Sequence, residues 1–250
     1  MVTERTVLVT GAARRIGAAI ARHLHGRGCR VAVHYRSSGE AARALQAELE
    51  AIRADSTLLV EADLQDPQAP ERMIREVTGH FGRLDVLVNN ASAYYSTALA
   101  QATLAQWQEL FASNVRAPYF LCQQAAPWLR QAAALPGGGC IINMADIYAE
   151  RPLPGYSLYS MAKAALVMMT QALARELGPQ VRVNAVAPGN ILWSDNPVKA
   201  ETLAVVRERT ALARQGEPAD IVSAVDWLVF GGGYVTGQVL AVDGGRNTFI

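Results

Sequence analysis

Short apolar, β-branched runs alternate with helical stretches along almost the whole chain of 250 residues. This alternation is typical of a parallel sheet covered by helices on both faces, because each parallel crossover needs a connection as long as a helix. We therefore predict an α/β, doubly wound Rossmann fold with a seven-stranded parallel sheet. The predicted strands are Val7–Thr10, Arg30–Tyr35, Thr57–Glu61, Val86–Asn89, Cys140–Met144, Val181–Ala187 and Val239–Val242. The predicted helices are Ile16–Arg27, Glu40–Arg53, Pro67–Phe81, Leu104–Arg130 (bent before Pro118), Tyr156–Leu177 and Pro218–Phe230.

The length suits a single α/β domain that spans residues 1–250. One segment, about residues 190–215, interrupts the regular alternation and carries Trp193. It follows the carboxyl end of a predicted strand, where α/β folds place ligand-covering loops. We expect this segment to be a substrate lid.

The composition excludes several classes of protein. The chain is 51% hydrophobic and 18% charged with a net charge of +1, which argues against disorder and against a nucleic-acid-binding surface. No apolar run is long enough to span a bilayer and no signal peptide is evident, so we expect a cytoplasmic protein. The histidines lack ligand spacing, and no metal site is predicted. The three widely spaced cysteines are predicted to be buried thiols: Cys29, Cys122 and Cys140.

A glycine-containing turn follows the first predicted strand and opens the first helix. In this context backbone N–H groups and a helix N-terminus bind the phosphates of a dinucleotide. Gly11 permits the tight turn and Gly17 permits close helix packing. Ile16 begins the predicted helix, and we expect these three residues to contact the cofactor. Arg15 stands where a third glycine is usual, and its guanidinium could contact a phosphate or a substrate. The alternative is that Arg14 and Arg15 are a solvated surface pair, and of the two we favour Arg15 for function.

The end of the second strand predicts which cofactor is used. An acidic residue there would repel the 2′-phosphate of NADPH, but the chain has His34, Tyr35, Arg36 and Ser37. Arg36 and the hydroxyl of Ser37 suit a phosphate, so NADPH is favoured over NADH. Asp63 and Leu64 follow the third strand near the expected adenine. Asp63 could equally cap the next turn.

Tyr159 and Lys163 lie four residues apart in a predicted helix, and therefore on one face of it. We expect the Lys163 ammonium to favour the phenolate and to lower the pKa of Tyr159 enough for proton donation near neutrality. A carboxylate, Asp146, stands thirteen residues before the tyrosine. It could serve the same site or only cap a turn.

Taken together, these motifs resemble the short-chain dehydrogenase/reductase family over nearly the whole chain. The residues that carry the resemblance are Thr10-Gly11, Asp63, Asn89-Asn90-Ala91, Asn114, Tyr159 with Lys163, and Pro188-Gly189. Within that family the chain is most similar to the pteridine reductases, which have aspartate in place of the usual catalytic serine. Four features match them: Arg15, His34–Ser37, Asn90–Tyr95 and Asp146.

The resemblance implies a role for each matching residue. Tyr159 would supply a proton, Lys163 would tune it and orient the nicotinamide ribose, and Asn114 would hold a proton-relaying water. Asp146 would protonate the second ring nitrogen of a pterin substrate, directly or through a water. The resemblance also assigns Arg15 and Tyr94 to the substrate. Trp193 is a further substrate candidate because it lies in the predicted lid, although the sequence from Asn190 to Trp193 does not closely match the lid of other family members. The resemblance assigns further residues to the cofactor: Asn90, Ala91, Ser92, Pro188 and Gly189.

The function predicted in this way is NADPH-dependent reduction of a dihydropterin, such as dihydrobiopterin or dihydromonapterin, with dihydrofolate as a further candidate. Two alternatives stay open: an NADPH-dependent carbonyl reductase of the 3-oxoacyl type, and a non-catalytic NADP-binding sensor. Family members pair the helices that match Leu104–Arg130 and Tyr156–Leu177 across subunits, so we predict a homotetramer. The Asp243-Gly-Gly245 turn would support either the cofactor floor or an interface.

Overall fold

The computed structural model of the chain describes residues 4–191, 204–206 and 208–248. Within these residues, seven parallel strands form one sheet in the order β3-β2-β1-β4-β5-β6-β7. The predicted fold class is therefore confirmed, and each predicted strand is correct to within one residue at either end. The strands are β1 (Thr6–Val9), β2 (Arg30–Tyr35), β3 (Thr57–Glu61), β4 (Val86–Asn89), β5 (Gly139–Met144), β6 (Val181–Pro188) and β7 (Val239–Val242).

Helices connect successive strands and cover both faces of the sheet. They are α1 (Arg15–Gly26), α2 (Gly39–Ile52), α3 (Ala69–Phe81), α4 (Leu104–Phe111), α5 (Ala117–Gln131), α6 (Ser157–Leu177) and α7 (Pro218–Asp226). Alternate residues of each strand face opposite layers, as the two-residue period of a strand requires. Val7 and Val9 pack with α1, α2 and α7, whereas Leu8 packs with α3, α5 and α6. All three are fully buried, which explains the continuous apolar strands.

The predicted helix Leu104–Arg130 is in fact two α-helices joined by a π-helical turn, Ala112–Arg116. The turn lies where the sequence predicts a bend before Pro118. Proline has no N–H to donate to the carbonyl of Asn114, four residues earlier, so the regular α-helical ladder is interrupted there. The last predicted helix also ends early, because α7 passes into a π-helical turn at Trp227–Gly231.

The direction of chain winding reverses between β1 and β4, which are neighbours in the sheet. In doubly wound folds the crevice beyond the carboxyl ends of such strands is the place where ligands bind. The predicted site residues that the structure describes lie at or after the carboxyl ends of β1 to β6 or in the first turns of α6, with Asn114 in the π-helical turn between α4 and α5. The fold therefore brings the residues that follow the strands to this one edge.

Candidate active site

Two glycines shape the turn after β1. Gly11 has a φ of +63°, and a Cβ there would lie 3.0 Å from Cα of Ala91. A Cβ on Gly17 would lie 2.2 Å from the carbonyl oxygen of Gly11, so the amino end of α1 packs directly on the turn. Ile16, between them, packs against the core. The two glycines therefore bring the turn and the amino end of α1 together, an arrangement that in strand-to-helix turns presents backbone N–H groups to an anion.

The hydroxyl oxygen of Thr10 joins this turn to the loop after β4. It accepts hydrogen bonds from the backbone N–H groups of Asn90 and Ala91, each at 2.9 Å. The side-chain amide of Asn90 donates in return to the carbonyl oxygens of Thr10 and Gly11, at 2.8 and 3.1 Å. Asn90 and Ala91 therefore form one continuous wall with the glycine turn.

His34 supports the turn from behind. It is 2% exposed, and its Nδ1 accepts a 3.0 Å hydrogen bond from the N–H of Gly11. The ring is therefore neutral, with its hydrogen on Nε2, which faces the carbonyl of Ala62 at 3.2 Å. Burial lowers the pKa of His34 to about 4. The sequence predicts a cofactor contact here, but both ring nitrogens bond to the protein, and His34 holds Gly11 instead.

Arg15 begins α1 with a φ of +53°, which is the left-handed region, and it is exposed. For a residue with a side chain this conformation costs roughly 1–2 kcal/mol relative to the right-handed one. Glycine would adopt it without that cost. This strained backbone agrees with the hypothesis that the Arg15 side chain has a function.

A cavity of about 380 Å³ lies at the carboxyl end of β2. Its lining includes Arg14, Tyr35, Arg36, Ser37, Arg43 and Glu61. The phenol of Tyr35 donates a 3.1 Å hydrogen bond to the Glu61 carboxylate. Three arginines line this cavity: Arg14, Arg36 and Arg43. Arg36 is predicted to bind the cofactor, whereas Arg14 is not favoured for function and Arg43 is not predicted. The missed signal was the position of Arg43 one turn into α2, directly after the Arg36–Ser38 loop.

Asp63 and Leu64 follow β3. Oδ1 of Asp63 accepts the N–H of Gln65 at 2.9 Å, while the side chain of Leu64 is buried. The turn-capping alternative for Asp63 is thus what the structure has. Its carboxylate is also exposed at the ligand edge of the sheet.

Asp146 and Tyr159 meet at the carboxyl end of β5. The phenol of Tyr159 donates a 2.7 Å hydrogen bond to Oδ2 of Asp146. Oδ1 of Asp146 accepts the N–H of Tyr148 at 2.9 Å and so caps the short 3-10 turn Ile147–Ala149. The carboxylate therefore has both roles that the sequence allows: one oxygen fixes its own loop and the other bonds the phenol.

Lys163 lies one helical turn after Tyr159 and is 2% exposed. Its ammonium donates a 2.7 Å hydrogen bond to the carbonyl of Met144 and lies 5.6 Å from the centroid of the Tyr159 ring. Burial lowers the pKa of Lys163 to about 8, although the charge of Asp146 acts in the opposite direction. Lys163 and Asp146 are therefore electrostatically coupled.

The expectation that the pKa of Tyr159 is lowered is wrong for the chain on its own. Burial, followed by the negative charge of Asp146, holds the pKa of Tyr159 well above its ordinary value. Burial also raises the pKa of Asp146, although its hydrogen bonds and the charge of Lys163 act against this. The sequence shows the helical spacing of Tyr159 and Lys163 but not the carboxylate that the fold brings against the phenol.

Asn114 lies in the π-helical turn and is fully buried. Its Nδ2 donates to the carbonyls of Leu110 and Ala93, at 2.9 and 3.0 Å. Its Oδ1 accepts a 2.7 Å hydrogen bond from the hydroxyl of Ser92. The side chain is thus fully engaged within the protein. The predicted role of Asn114 in holding a water therefore does not fall to this side chain, and its main-chain carbonyl receives no hydrogen bond from Pro118, four residues later.

Tyrosines line the approach to this cluster. The ring of Tyr94 stacks on Tyr156 with centroids 4.9 Å apart and planes at 17°, and meets Tyr159 edge-on at 4.8 Å. Tyr94 is 45% exposed despite these contacts. One of its faces is covered by Tyr156, which the sequence does not single out, so the protein itself uses one of the two faces on which a planar ligand could stack.

Pro188 and Gly189 end β6 beside the C-terminal turn. The N–H of Gly189 donates to the carbonyl of Val242 at 3.0 Å, and a Cβ on Gly189 would lie 2.6 Å from Cα of Asp243. The Asp243-Gly-Gly245 turn is therefore packed directly against Gly189, and its two predicted roles, cofactor floor or interface, stay predictions. Trp193, predicted to contact the substrate, lies outside the described residues.

Three further properties concern the described part of the chain. Cys29, Cys122 and Cys140 are buried free thiols, as predicted. Across residues 4–191, 204–206 and 208–248, no group of three or more His, Cys, Asp or Glu side chains could hold a metal ion. In the same ranges, none of the helices combines the length and the apolar character that crossing a bilayer requires.

Comparison with known proteins gives one consistent picture. A short-chain dehydrogenase/reductase family model, described as enoyl-(acyl carrier protein) reductase, matches residues 11–247. Pteridine reductase 1 of Leishmania tarentolae is 35% identical, over 98% of this chain and 97% of its own. The 3-oxoacyl-(acyl-carrier-protein) reductase FabG of Staphylococcus aureus is 36% identical, over 98% of this chain and 99% of its own. A blue fluorescent protein from a metagenomic library, solved in complex with NADPH, has a TM-score of 0.88 at 38% identity, covering 97% of each chain.

Proposed function

Because this chain belongs to the short-chain dehydrogenase/reductase family, we propose that it is an NADPH-dependent reductase of dihydropterins. The observation that carries the proposal is the 2.7 Å hydrogen bond from the Tyr159 phenol to a carboxylate, Asp146. A hydroxyl at that position could donate to a substrate carbonyl, whereas an ionised carboxylate can only accept. The site therefore suits a substrate that has N–H donors and a ring nitrogen to be protonated.

The chain has the parts that an NADPH molecule needs. The turn that is shaped by Gly11 and Gly17, neither of which has room for a Cβ, leads into the amino end of α1 and suits the pyrophosphate. The cavity that contains Arg36 and Arg43 suits the 2′-phosphate, because guanidinium groups bind phosphate oxygens in pairs. Lys163, buried with a single hydrogen bond to the protein, has N–H groups left for a ribose. When bound, NADPH supplies a hydride from its nicotinamide C4.

In this proposal the protein supplies protons and position. Tyr159 holds a proton at its phenol oxygen and Asp146 holds the acceptor end of the same hydrogen bond. Because burial raises the pKa of both groups, each retains a proton more readily than it would in water. The proton of this hydrogen bond passes from Tyr159 to the carboxyl of Asp146 and from there, directly or through a water, to the ring nitrogen, which leaves the Tyr159 phenolate to be reprotonated. The positive charge of Lys163 opposes the rise in the pKa of Asp146 that burial causes. The main-chain carbonyl of Asn114 binds the water that resupplies the proton.

The substrate would be held by its flat shape. Tyr94, which is 45% exposed and touches Tyr159, offers an aromatic surface beside the Tyr159–Asp146 pair. Arg15 extends from the phosphate turn, and its planar donors match the oxygen and ring nitrogen of a pterin. We keep Trp193 and the segment of residues 190–215 as the proposed lid.

The proposal is tested by a substrate panel. Purified protein is mixed with NADPH and, in parallel, with dihydrobiopterin, dihydromonapterin, dihydrofolate and a set of ketones that includes a 3-oxoacyl thioester. We expect NADPH oxidation with dihydropterins at a kcat/KM at least about tenfold above that with any ketone. Turnover of the ketones alone would overturn the pterin assignment, and no turnover with any substrate would favour a sensor.

A carbonyl reductase is the second candidate, because the similarity to FabG of Staphylococcus aureus is as high as the similarity to the pteridine reductase. In that case Asp146 would act only through its hydrogen bond to Tyr159. We also propose that the chain is one domain, that it works in the cytoplasm and that it assembles as a homotetramer.

A further inference from the structure

A carboxylate in the arginine cavity has no part in the steps above. The cavity at the carboxyl end of β2 is lined by three guanidinium groups, from Arg14, Arg36 and Arg43, and by two carboxylates, from Glu40 and Glu61. The guanidinium groups suit a 2′-phosphate. A carboxylate repels one, because a phosphate monoester carries a charge of about −1.5 to −2 at pH 7. A site that binds only a phosphate has no need of these negative groups.

Glu61 ends β3 directly beside the end of β2. It is the register partner of Tyr35, the last residue of β2, and the N–H of Ala62 donates a 3.0 Å hydrogen bond to the carbonyl of Tyr35. In doubly wound folds, an acidic residue at the end of β2 binds a ribose hydroxyl of NADH. This chain has Tyr35 and Arg36 there instead. The neighbouring strand therefore brings a carboxylate to the place where β2 has none.

The side chain of Tyr35 holds this carboxylate. Tyr35 is buried, and its phenol donates a 3.1 Å hydrogen bond to Oε2 of Glu61. Glu61 itself is exposed and lines the cavity. Within the part of the chain that the structure describes, no group donates to its other oxygen, Oε1. One oxygen is thus fixed by the protein, and the other can accept a hydrogen bond from a ligand.

The positive and the negative groups of the cavity lie near the same tyrosine. A Cβ on Gly39, the first residue of α2, would lie 3.2 Å from Nη1 of Arg43 and 3.6 Å from Cε2 of Tyr35. Arg43 therefore reaches the start of α2 beside the ring whose phenol bonds Glu61. Phosphate oxygens accept hydrogen bonds, whereas a ribose hydroxyl can donate one. The cavity offers a donor to the first and an acceptor to the second.

We infer that this chain binds NADH as well as NADPH, and that Glu61 recognises NADH by accepting a hydrogen bond from the 2′-hydroxyl of its adenosine ribose. Arg36 and Arg43 recognise the 2′-phosphate of NADPH in the same cavity. The two cofactors thus use different residues there, and Glu61 lowers the affinity for NADPH. The inference rests on the proposed assignment of the cavity to the 2′-position of the cofactor, but not on the identity of the reduced substrate.

The test measures cofactor binding in the absence of substrate. Isothermal titration calorimetry gives the Kd of NADPH and of NADH for each protein. In Glu61→Ala we expect the Kd for NADH to rise about tenfold, because a hydrogen bond to a charged acceptor is lost. The Kd for NADPH should fall about threefold or more, because the repulsion of the phosphate is removed. Damage to the fold would raise both values, so shifts in opposite directions report the contact itself.

Two further variants complete the comparison. Glu61→Gln, which keeps the shape and a neutral acceptor, should show the same gain for NADPH and a smaller loss for NADH. Glu71→Gln removes an exposed carboxylate on α3 and should leave both Kd values within about twofold. An unchanged Kd for NADH in Glu61→Ala, or a wild-type protein that does not bind NADH at millimolar concentration, would overturn the inference.

Arg36→Ala separates the inference from the assignment of the cavity. If Arg36→Ala weakens NADPH binding while Glu61→Ala leaves the Kd for NADH unchanged, the cavity assignment stands and the role of Glu61 falls. If Arg36→Ala leaves the Kd for NADPH unchanged, the cavity does not read the 2′-position and the inference falls with it. A substrate panel without pterin turnover would defeat the proposed function, while the two Kd values would still decide the role of Glu61.

Discussion

The phenol of Tyr159 donates a 2.7 Å hydrogen bond to Asp146, and the same carboxylate accepts a hydrogen bond from the backbone N–H of Tyr148. Helical spacing suggests that Lys163 alone sets the pKa of the phenol. In the structure, burial and Asp146 also act on that pKa. The phenol belongs to a largely buried pair in which a carboxyl group and a more weakly acidic phenol share one hydrogen bond. A pair of this kind suits protonation of a basic nitrogen more than polarisation of a ketone.

Replacement of Asp146 tests that pairing. In Asp146→Ser and Asp146→Asn we expect dihydropterin reduction to fall at least about 100-fold, the usual contribution of a positioned acid. NADPH affinity, measured by fluorescence titration, should stay within about twofold, because the phosphate cradle is untouched. Asp146→Ser could also gain activity on ketones, since a hydroxyl can donate to a carbonyl. Equal pterin activity in wild type and both variants would contradict the assignment.

The arginine cavity predicts cofactor preference. In Arg36→Ala and in Arg43→Ala we expect the Kd for NADPH to rise about tenfold or more, because each removes a charge-assisted hydrogen bond. The Kd for NADH should not change. Arg75→Ala serves as a control, since Arg75 is an exposed surface arginine paired within α3. If Arg43→Ala weakens both cofactors equally, Arg43 does not read the 2′-phosphate.

His34 predicts an acid-sensitive fold. Its pKa in the folded chain is about 4, below the ordinary value of 6.5, so the unfolded chain binds the proton more tightly. The stability that its neutral ring contributes is complete above pH 6.5 and is lost as the pH falls towards 4. Between pH 7 and 5 this amounts to about 2 kcal/mol.

In His34→Asn the amide oxygen can still accept from Gly11 but does not titrate. Urea denaturation at pH 7 and at pH 5 should therefore show a smaller loss of unfolding free energy in this variant than in wild type. His25, whose pKa is also lowered by burial, is present in both proteins and cancels in the comparison. The same acid dependence in the two proteins would refute the role of His34.

Arg15 predicts a difference between two variants that lose the same guanidinium. Arg15→Gly suits a φ of +53°, whereas Arg15→Ala keeps the Cβ in the left-handed region. We expect the glycine variant to be more stable than the alanine variant by roughly 1–2 kcal/mol in denaturant unfolding. Both should lose substrate affinity. If the alanine variant is as stable as the glycine variant, the backbone at this position is not strained.

The outer faces of α5 and α6 predict association. Phe120, Met161 and Met168 are 39%, 43% and 63% exposed in the isolated chain, and the two methionines lie seven residues apart on one helix face. We expect a homotetramer by sedimentation, and smaller species for Met168→Glu. A wild-type monomer at micromolar concentration would contradict the prediction.

The elements of the fold could be predicted because their causes are local. The strands are apolar runs such as Val7–Val9, buried on both faces, and the break before Pro118 follows from a missing N–H. The positions of Gly11 and Gly17 could be predicted for a similar reason, because the turn itself requires them.

The electrostatics of the site could not be predicted in the same way. Burial and the approach of Asp146 to Tyr159 depend on how β5 and α6 pack, and they reverse the expected direction of the phenol's pKa shift. Arg43 reaches the cavity only because α2 starts immediately beyond the β2 loop. His34 bonds to Gly11 because β1 and β2 are neighbours, which the sequence of β2 alone does not reveal.

The Thr10 oxygen, which accepts two N–H groups from the opposite loop, has a consequence for protein engineering. It anchors the two loops of the cleft to one atom, and the Asn90 side chain bonds back to the glycine turn, so the two loops share their support. Changes of dinucleotide preference and changes of substrate range should therefore combine additively as long as they leave Thr10 and Asn90 in place. A variant library could optimise the two properties separately and merge them afterwards.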